Sequence, residues 1–464
     1  MLPNINKHKK VINLLNSFKS KISRKFRKLK LITKSKFFGY EHLRSYFLHQ
    51  QTKHALHLES LKNKISEGRK IKIVFLDISF GYFHFSSLYK ILDKYEQIEP
   101  IVFVYSELGD GKYDLNEALD RYNKRVASGF NTIFGYDEDG LPISLESVNA
   151  DIVFFSFYHT ASRDFDNHYF RRTISNTLSC IVPYYILSLK ANVTKYFTHR
   201  NVLFTWTQFL DNKYEHNMSL DSTITFGSNT VISGHPSRDL LENSEVDKIL
   251  EKLKDKRKIV AYTPHWIDVA SFYKLGKDIL SLLDKYPDIG FVFKPHPTLY
   301  VRVFNEQTPD KVTNGWKYED WENYVKKWSE SENGVFITSS DSANLFDKCD
   351  LIINESETYI LGWASTGKPC IQLTPNFNSR KKPEKTRLPY VNDLVNSYYS
   401  ASTFVEIEKY FNDILLNDND YKKQEREKVT KGFKTSENGS SQFIAQYLLE
   451  KLDIAIAQNL ETQI

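Results

Sequence analysis

Cysteine is scarce: the 464 residues hold three, Cys180, Cys349 and Cys370, with no CxxC spacing. That excludes a disulfide framework and a zinc knuckle and fits a reducing compartment. Each cysteine reads as a small buried apolar residue. Long hydrophobic runs are missing too. No apolar stretch approaches the roughly 20 residues that span a bilayer, and no apolar core with a small-residue cleavage site follows the basic N-terminus. A cytoplasmic protein is the expectation. Acidic residues are absent until Glu41.

What is present is ordinary for a globular protein, with 41% hydrophobic and 26% charged residues. The length allows two domains with accessory helices. Aromatics reach 14%, mostly Phe and Tyr, which composition alone leaves between thick cores and ring-stacking surfaces. The net charge of +6 is unevenly placed. Across residues 7–36, Val11, Leu14, Leu15, Phe18, Ile22, Phe26 and Leu29 recur at helical steps, with Lys19, Lys21, Arg24, Lys28 and Lys30 around them. Such a basic amphipathic helix suits an anionic membrane surface, at about 1 kcal/mol per basic residue. Packing of its apolar stripe on the protein body is the alternative. Nucleic acid is not expected, because no reader motif accompanies the charge.

Short apolar runs at 71–77, 101–105, 151–157 and 202–206 read as strands, with a helix over 115–126. The pattern restarts at 258–262, 290–293, 335–338, 350–353 and 370–373, after a helical stretch at 244–256. This is an α/β chain with two Rossmann-like, doubly wound domains facing a cleft. The expected divisions are a helical leader (1–70), an acceptor domain (71–238), a nucleotide-donor domain (239–402) and C-terminal helices (403–464). The break falls near 237–243.

Four segments bring polar groups to strand ends: Gly234-His235-Pro236-Ser237-Arg238-Asp239, Tyr262-Thr263-Pro264-His265-Trp266, Phe293-Lys294-Pro295-His296-Pro297 and Ile353-Asn354-Glu355-Ser356-Glu357-Thr358. Proline fixes the backbone beside each of the three histidines, so the side chain is aimed reproducibly. His265 and His296 can donate to phosphate oxygens, and Lys294 supplies charge for a diphosphate. His235 reads instead as a structural strand-end residue. Ser356 and Thr358 fall in the first turn of a helix, where free N–H groups favour an anion, although a plain N-cap also explains Ser356. Asp137-Glu138-Asp139, between Gly135 and Gly140, reads as a surface turn.

The succession Tyr-Thr-Pro-His-Trp (262–266), Phe-Lys-Pro-His-Pro (293–297), Cys-Asp-Leu-Ile-Ile-Asn-Glu-Ser-Glu-Thr (349–358) and Gly-Lys-Pro (367–369) resembles the CDP-glycerol glycerophosphotransferase family. These are teichoic-acid and capsule polymerases of the GT-B fold. The likeness covers mainly residues 231–373. It implies that His296 and the Ser356 segment hold a donor diphosphate, with His265, Lys294, Asn354, Glu357 and Thr358 in the same donor site. Where the family has Asp-Tyr-Ser-Ser, this chain has Asn354-Glu355-Ser356-Glu357. In the acceptor half, the family's histidine after a proline is replaced in Pro183-Tyr184-Tyr185, which leaves His84 and His159 as candidate bases.

The resemblance implies transfer of a glycerol-phosphate, polyol-phosphate or sugar unit from a cytidine or uridine nucleotide to a glycan or lipid-linked acceptor. The product would be capsule, teichoic-acid-like polymer or lipopolysaccharide, made on the inner face of the membrane. It also implies no metal and no cofactor beyond the donor. Glycosyl transfer from CMP-Kdo or a UDP-sugar is the near rival. A UDP-sugar 2-epimerase-like isomerase and a non-catalytic membrane scaffold are the other classes.

Overall fold

The structure, a computed structural model, describes residues 41–78, 83–105, 115–156, 177–183, 205–220, 227–241, 244–267, 270–304, 309–339, 342–374, 387–433 and 439–456. The basic stretch 7–36, His159 and Tyr184 lie outside the described residues. A 26-residue helix, Glu41–Ser66, leads into the first sheet.

That sheet comprises β1 (Ile71–Asp77), β2 (Ile98–Val104), β3 (Thr132–Phe134), β4 (Ile152–Phe155), β5 (Leu178–Ile181), β6 (Thr207–Leu210) and β7 (Thr230–Ile232). Its order is β3-β2-β1-β4-β5-β6-β7, parallel throughout. The second comprises β8 (Lys258–Thr263), β9 (Ile289–Phe293), β10 (Gly334–Phe336), β11 (Leu351–Asn354), β12 (Cys370–Leu373) and β13 (Tyr399–Ala401). It runs β10-β9-β8-β11-β12-β13, again parallel. Strand order therefore reverses between β1 and β4 and between β8 and β11. In such sheets ligands bind at that reversal, beyond the carboxyl ends.

Both faces of each sheet are covered, which is why the strands read as unbroken apolar runs. In β1, Ile71, Ile73 and Phe75 enter one core while Val74 and Leu76 enter the opposite one. The aromatic residues are shared between the cores of the two sheets. The second holds a dense ring cluster. There Phe293 packs against Phe272, Trp321, Tyr324 and Trp328 with ring centroids 5.1–6.2 Å apart. All three cysteines are free and buried.

Four strands depart from the sequence expectation. The strand expected at 202–206 lies at Thr207–Leu210, where Thr207 and Gln208 are buried and the Gln208 amide donates to Asn229 at 3.0 Å. β3, β5 and β13 were not expected: they are three or four residues long, and β5 and β13 carry a serine within. A polar side chain inside the sheet interrupts the apolar run by which a buried strand is read.

The Gly234–Asp239 segment is a junction. The His235 ring donates through Nε2 to the Pro183 carbonyl at 2.7 Å, with Nδ1 facing Ser237. Arg238 forms a buried ion pair with Asp211 at 2.9 Å and also donates to the carbonyls of Leu361 and Phe433. Asp239 accepts the N–H groups of Ser440 and Ser441, both at 2.7 Å. It thereby seats the helix Ser440–Lys451, whose Ile444, Ala445, Leu448 and Leu449 complete the first sheet's core. Among the described residues, no helix is long and apolar enough to cross a membrane.

Candidate functional site

Each sheet places a histidine and a polar partner across its reversal point. On the first sheet, the loop after β1 carries His84 and the end of β4 carries Ser156, whose hydroxyl lies 2.9 Å from His84 Nε2. His84 is buried, its ring 5.3 Å from that of His235. Burial pushes the His235 pKa down, against Asp211 and the Pro183 carbonyl, which raise it. His235 is thus a neutral brace. Its hydrogen bonds within the junction agree with the structural reading of the sequence.

On the second sheet, the loops after β8 and β9 bring His265 and His296 together, ring centroids 5.2 Å apart. Trp266 packs on both, at 5.8 and 6.3 Å. Each imidazole accepts a backbone N–H at Nδ1: His265 from Ile267 at 3.3 Å, His296 from Thr298 at 3.1 Å. A neutral ring that accepts at Nδ1 carries its proton on Nε2. The pair therefore offers two Nε2–H donors. The His296 ring is largely on the surface, yet the protein packed around it desolvates it. That effect, then His265, then Lys294, pushes its pKa down to about 4. Solvent screening moderates such shifts at an exposed ring, and a neutral imidazole at neutral pH follows either way. Lys294, buried two residues before it, continues β9 by donating its N–H to the Tyr262 carbonyl at 3.0 Å.

The end of β11 shapes the crevice from the other side. The Asn354 side chain, fully buried, accepts from Thr263 Oγ1 at 3.0 Å and from Ser356 N at 3.1 Å, and donates to the Ser356 carbonyl. Its polar atoms build the turn from behind. Ser356 is the N-cap residue of the seven-residue helix Glu357–Trp363, but its hydroxyl makes no capping bond. Thr358 lies in that helix, its side chain outside the described set. Glu357 is ion-paired with Arg387 at 2.5 Å.

Glu355, given no role on sequence grounds, bonds across the reversal point. One carboxylate oxygen accepts His265 N–H at 2.6 Å and the other accepts Ser271 N–H at 2.7 Å. Burial raises its pKa to about 7, against these two hydrogen bonds, which lower it. The available signal was a carboxylate directly after an apolar strand.

The Gly367-Lys368-Pro369 motif is not gathered in. Gly367 takes φ +67° to end the turn at 364–366, and the Lys368 ammonium donates to the carbonyls of Phe346, Asp347 and Cys349. These residues line a cavity of about 680 Å³ at the amino ends of β8, β11 and β12. Ligand chemistry in this architecture belongs to the opposite end, and Lys368 and Arg426 in the cavity wall already hold protein oxygens. The Asp137–Asp139 triplet forms a turn closed by the Gly140 N–H on the Asp137 carbonyl.

No protein-family model and no curated protein matches the chain. Solved structures do. A variant of the wall teichoic acid polymerase TagF soaked with CDPG aligns at TM-score 0.53 and 13% identity, covering 93% of this chain and 98% of that one. TagF itself aligns at 0.51 and 12% identity over 96% and 99%. The fold is GT-B. S. aureus MnaA in complex with UDP aligns at TM-score 0.49 and 14% identity over 83% and 98%. Identities this low speak for the architecture alone, so the chemistry rests on the residues above.

Proposed function

We propose that this chain is a transferase that binds a cytidine or uridine nucleotide donor beyond β8 and β11. It passes a polyol-phosphate or sugar unit to a cell-surface glycan or lipid-linked acceptor held at the first sheet. The observation that carries this reading is the convergence of Lys294 with the Nε2–H donors of His265 and His296 at the second sheet's reversal point. In the phosphotransfer form, the acceptor hydroxyl oxygen bonds to the phosphorus bearing the polyol, the bond from that phosphorus to the bridging oxygen breaks, and CMP leaves. In the glycosyl form, the same oxygen bonds to the anomeric carbon and the nucleotide leaves whole. Either way, negative charge grows on the departing phosphate oxygens, where fixed donors in a shielded crevice act most strongly. The hydroxyl proton passes to a base. His84, beside Ser156 at the other reversal point, is our candidate among the described residues, and His159, outside them, is the second.

A donor screen tests the reading. CDP-glycerol, CDP-ribitol, CMP-Kdo and common UDP-sugars are compared by ligand-observed NMR, with and without EDTA. We expect selective binding of a CDP-polyol that EDTA does not alter, in keeping with transfer that needs no metal. Selection of CMP-Kdo or a UDP-sugar would move the assignment to glycosyl transfer. An exchange of epimers without any acceptor would make it an isomerase, and no binding at all would leave a scaffold.

The membrane-surface role proposed for residues 7–36 rests on their charge and apolar spacing. Deleting them is expected to reduce sedimentation with anionic vesicles while leaving donor affinity unchanged. Equal sedimentation of the two proteins would rule that role out.

A further inference from the structure

The loop between β8 and the helix Ser271–Leu280 carries His265 and Trp266, and its two ends are tied to one carboxylate. Glu355 Oε1 takes the N–H of His265 at 2.6 Å and Oε2 takes that of Ser271 at 2.7 Å. The two donors are six residues apart in sequence and the acceptor lies about ninety residues downstream, on β11's end. We propose that Glu355 is the positioning residue of the donor site, a clasp that ties His265 to Ser271 so that the His265, Trp266 and His296 rings form one preorganised face. The claim rests on the nucleotide-donor reading above and names the device that sets its geometry.

Three observations support a positioning role. First, the two carboxylate oxygens accept the backbone N–H groups of His265 and Ser271, which joins the residue that carries the site histidine to the start of the next helix. Second, charge-assisted bonds of this length are the stronger kind, and they cross the boundary between two strands that border the crevice. Third, the carboxylate holds this position against its own desolvation, which raises its pKa from the ordinary 4.5 to about 7. The sign follows directly. A raised acid favours the folded state below about 4.5, and that contribution fades as pH rises through about 7. The clasp runs the other way, since only the ionised group accepts fully at both oxygens. The surrounding titratable and charged groups are Tyr262 on β8, hydrogen-bonded to Ser271 at 3.1 Å, His265 on the loop, Lys294 and His296 beyond β9, and Glu357 in its pair with Arg387.

Trp266 provides a reporter. It is 38% exposed, whereas Trp206, Trp316, Trp321, Trp328 and Trp363 are at 9% or less, and these six are all the tryptophans in the chain. The experiment measures acrylamide quenching of the full chain against Trp266→Phe, which isolates the Trp266 signal, in wild type, Glu355→Ala and Glu355→Gln. Donor affinity is then measured by titrating the nucleotide selected in the screen. We expect Trp266 to become more accessible in Glu355→Ala and less so in Glu355→Gln, which keeps one acceptor oxygen. The wild-type signal should titrate with a midpoint near 7 that Glu355→Gln abolishes, a response that a merely structural residue would not give. Donor affinity should fall by about ten- to a hundredfold in Glu355→Ala, the scale of a lost charge-assisted hydrogen bond. Unchanged quenching and titration in both variants would overturn the clasp. A freed loop with unaltered donor affinity would overturn its place in the donor site. The fluorescence arm needs no nucleotide, so a failed donor screen leaves the clasp itself fully tested, and Glu355→Gln serves if Glu355→Ala does not fold.

Discussion

Replacing His296 with alanine is expected to lower turnover with the nucleotide donor by about a hundred- to a thousandfold, the cost of losing one aimed donor at a developing anion. The fold should survive. The His296 ring lies largely at the surface, and its one intramolecular hydrogen bond is from the Thr298 N–H, which water can replace. Changes at such positions stay within about 0.5 kcal/mol. Protonation matters here as much as place. With its pKa near 4 the ring is neutral at working pH, so it gives an Nε2–H and leaves the positive charge to Lys294. His296→Gln, which keeps an N–H donor, should recover part of the loss. Lysine at this position should not, because it would crowd a second ammonium against Lys294. Steady-state transfer assays with thermal melts decide the matter: unchanged turnover in His296→Ala removes this residue from the mechanism.

Arg238→Met should destabilise the fold by about 3–5 kcal/mol, the range for stripping one partner from a buried ion pair. The Arg238 and Asp211 side chains are only 5% and 2% exposed. Removing the guanidinium leaves the Asp211 charge with the Asn212 amide and strips the Leu361 and Phe433 carbonyls of a donor. Methionine preserves most of the stem, so the loss measures charge and hydrogen bonding more than packing. The test is chemical denaturation of Arg238→Met, Asp211→Asn and the double variant. Much of the cost comes from the stranded carboxylate, so the double variant should lose less than the two single losses added together. A single-variant loss below about 1 kcal/mol would mean the junction is held by other contacts.

Strands such as β1 and β12 were legible to the residue because each is an unbroken apolar run buried on both faces. β6 was not, because Thr207 and Gln208 sit inside the sheet, where they bond to Tyr447 and Asn229. At the candidate site, the three histidine–proline segments and Lys294 could be read from composition at strand ends. Their sorting could be read only for His235, which looked structural. Arg238 turned out to belong to the same junction, and Lys368 to the far end of the sheet. Glu355 escaped because its one local signal, a carboxylate directly after an apolar strand, does not reveal partners about ninety residues away.

The helix Ser440–Lys451 puts Ile444, Leu448 and Leu449 into the same core as Phe75 of β1. The half of the protein that leaves the ribosome first is therefore finished last. Until that helix is made, β1 and its neighbours hold an uncovered apolar surface through the whole synthesis of the second sheet, the condition in which nascent chains associate wrongly. Folding of the two halves is consequently ordered by topology: the first sheet waits for a helix made after the second.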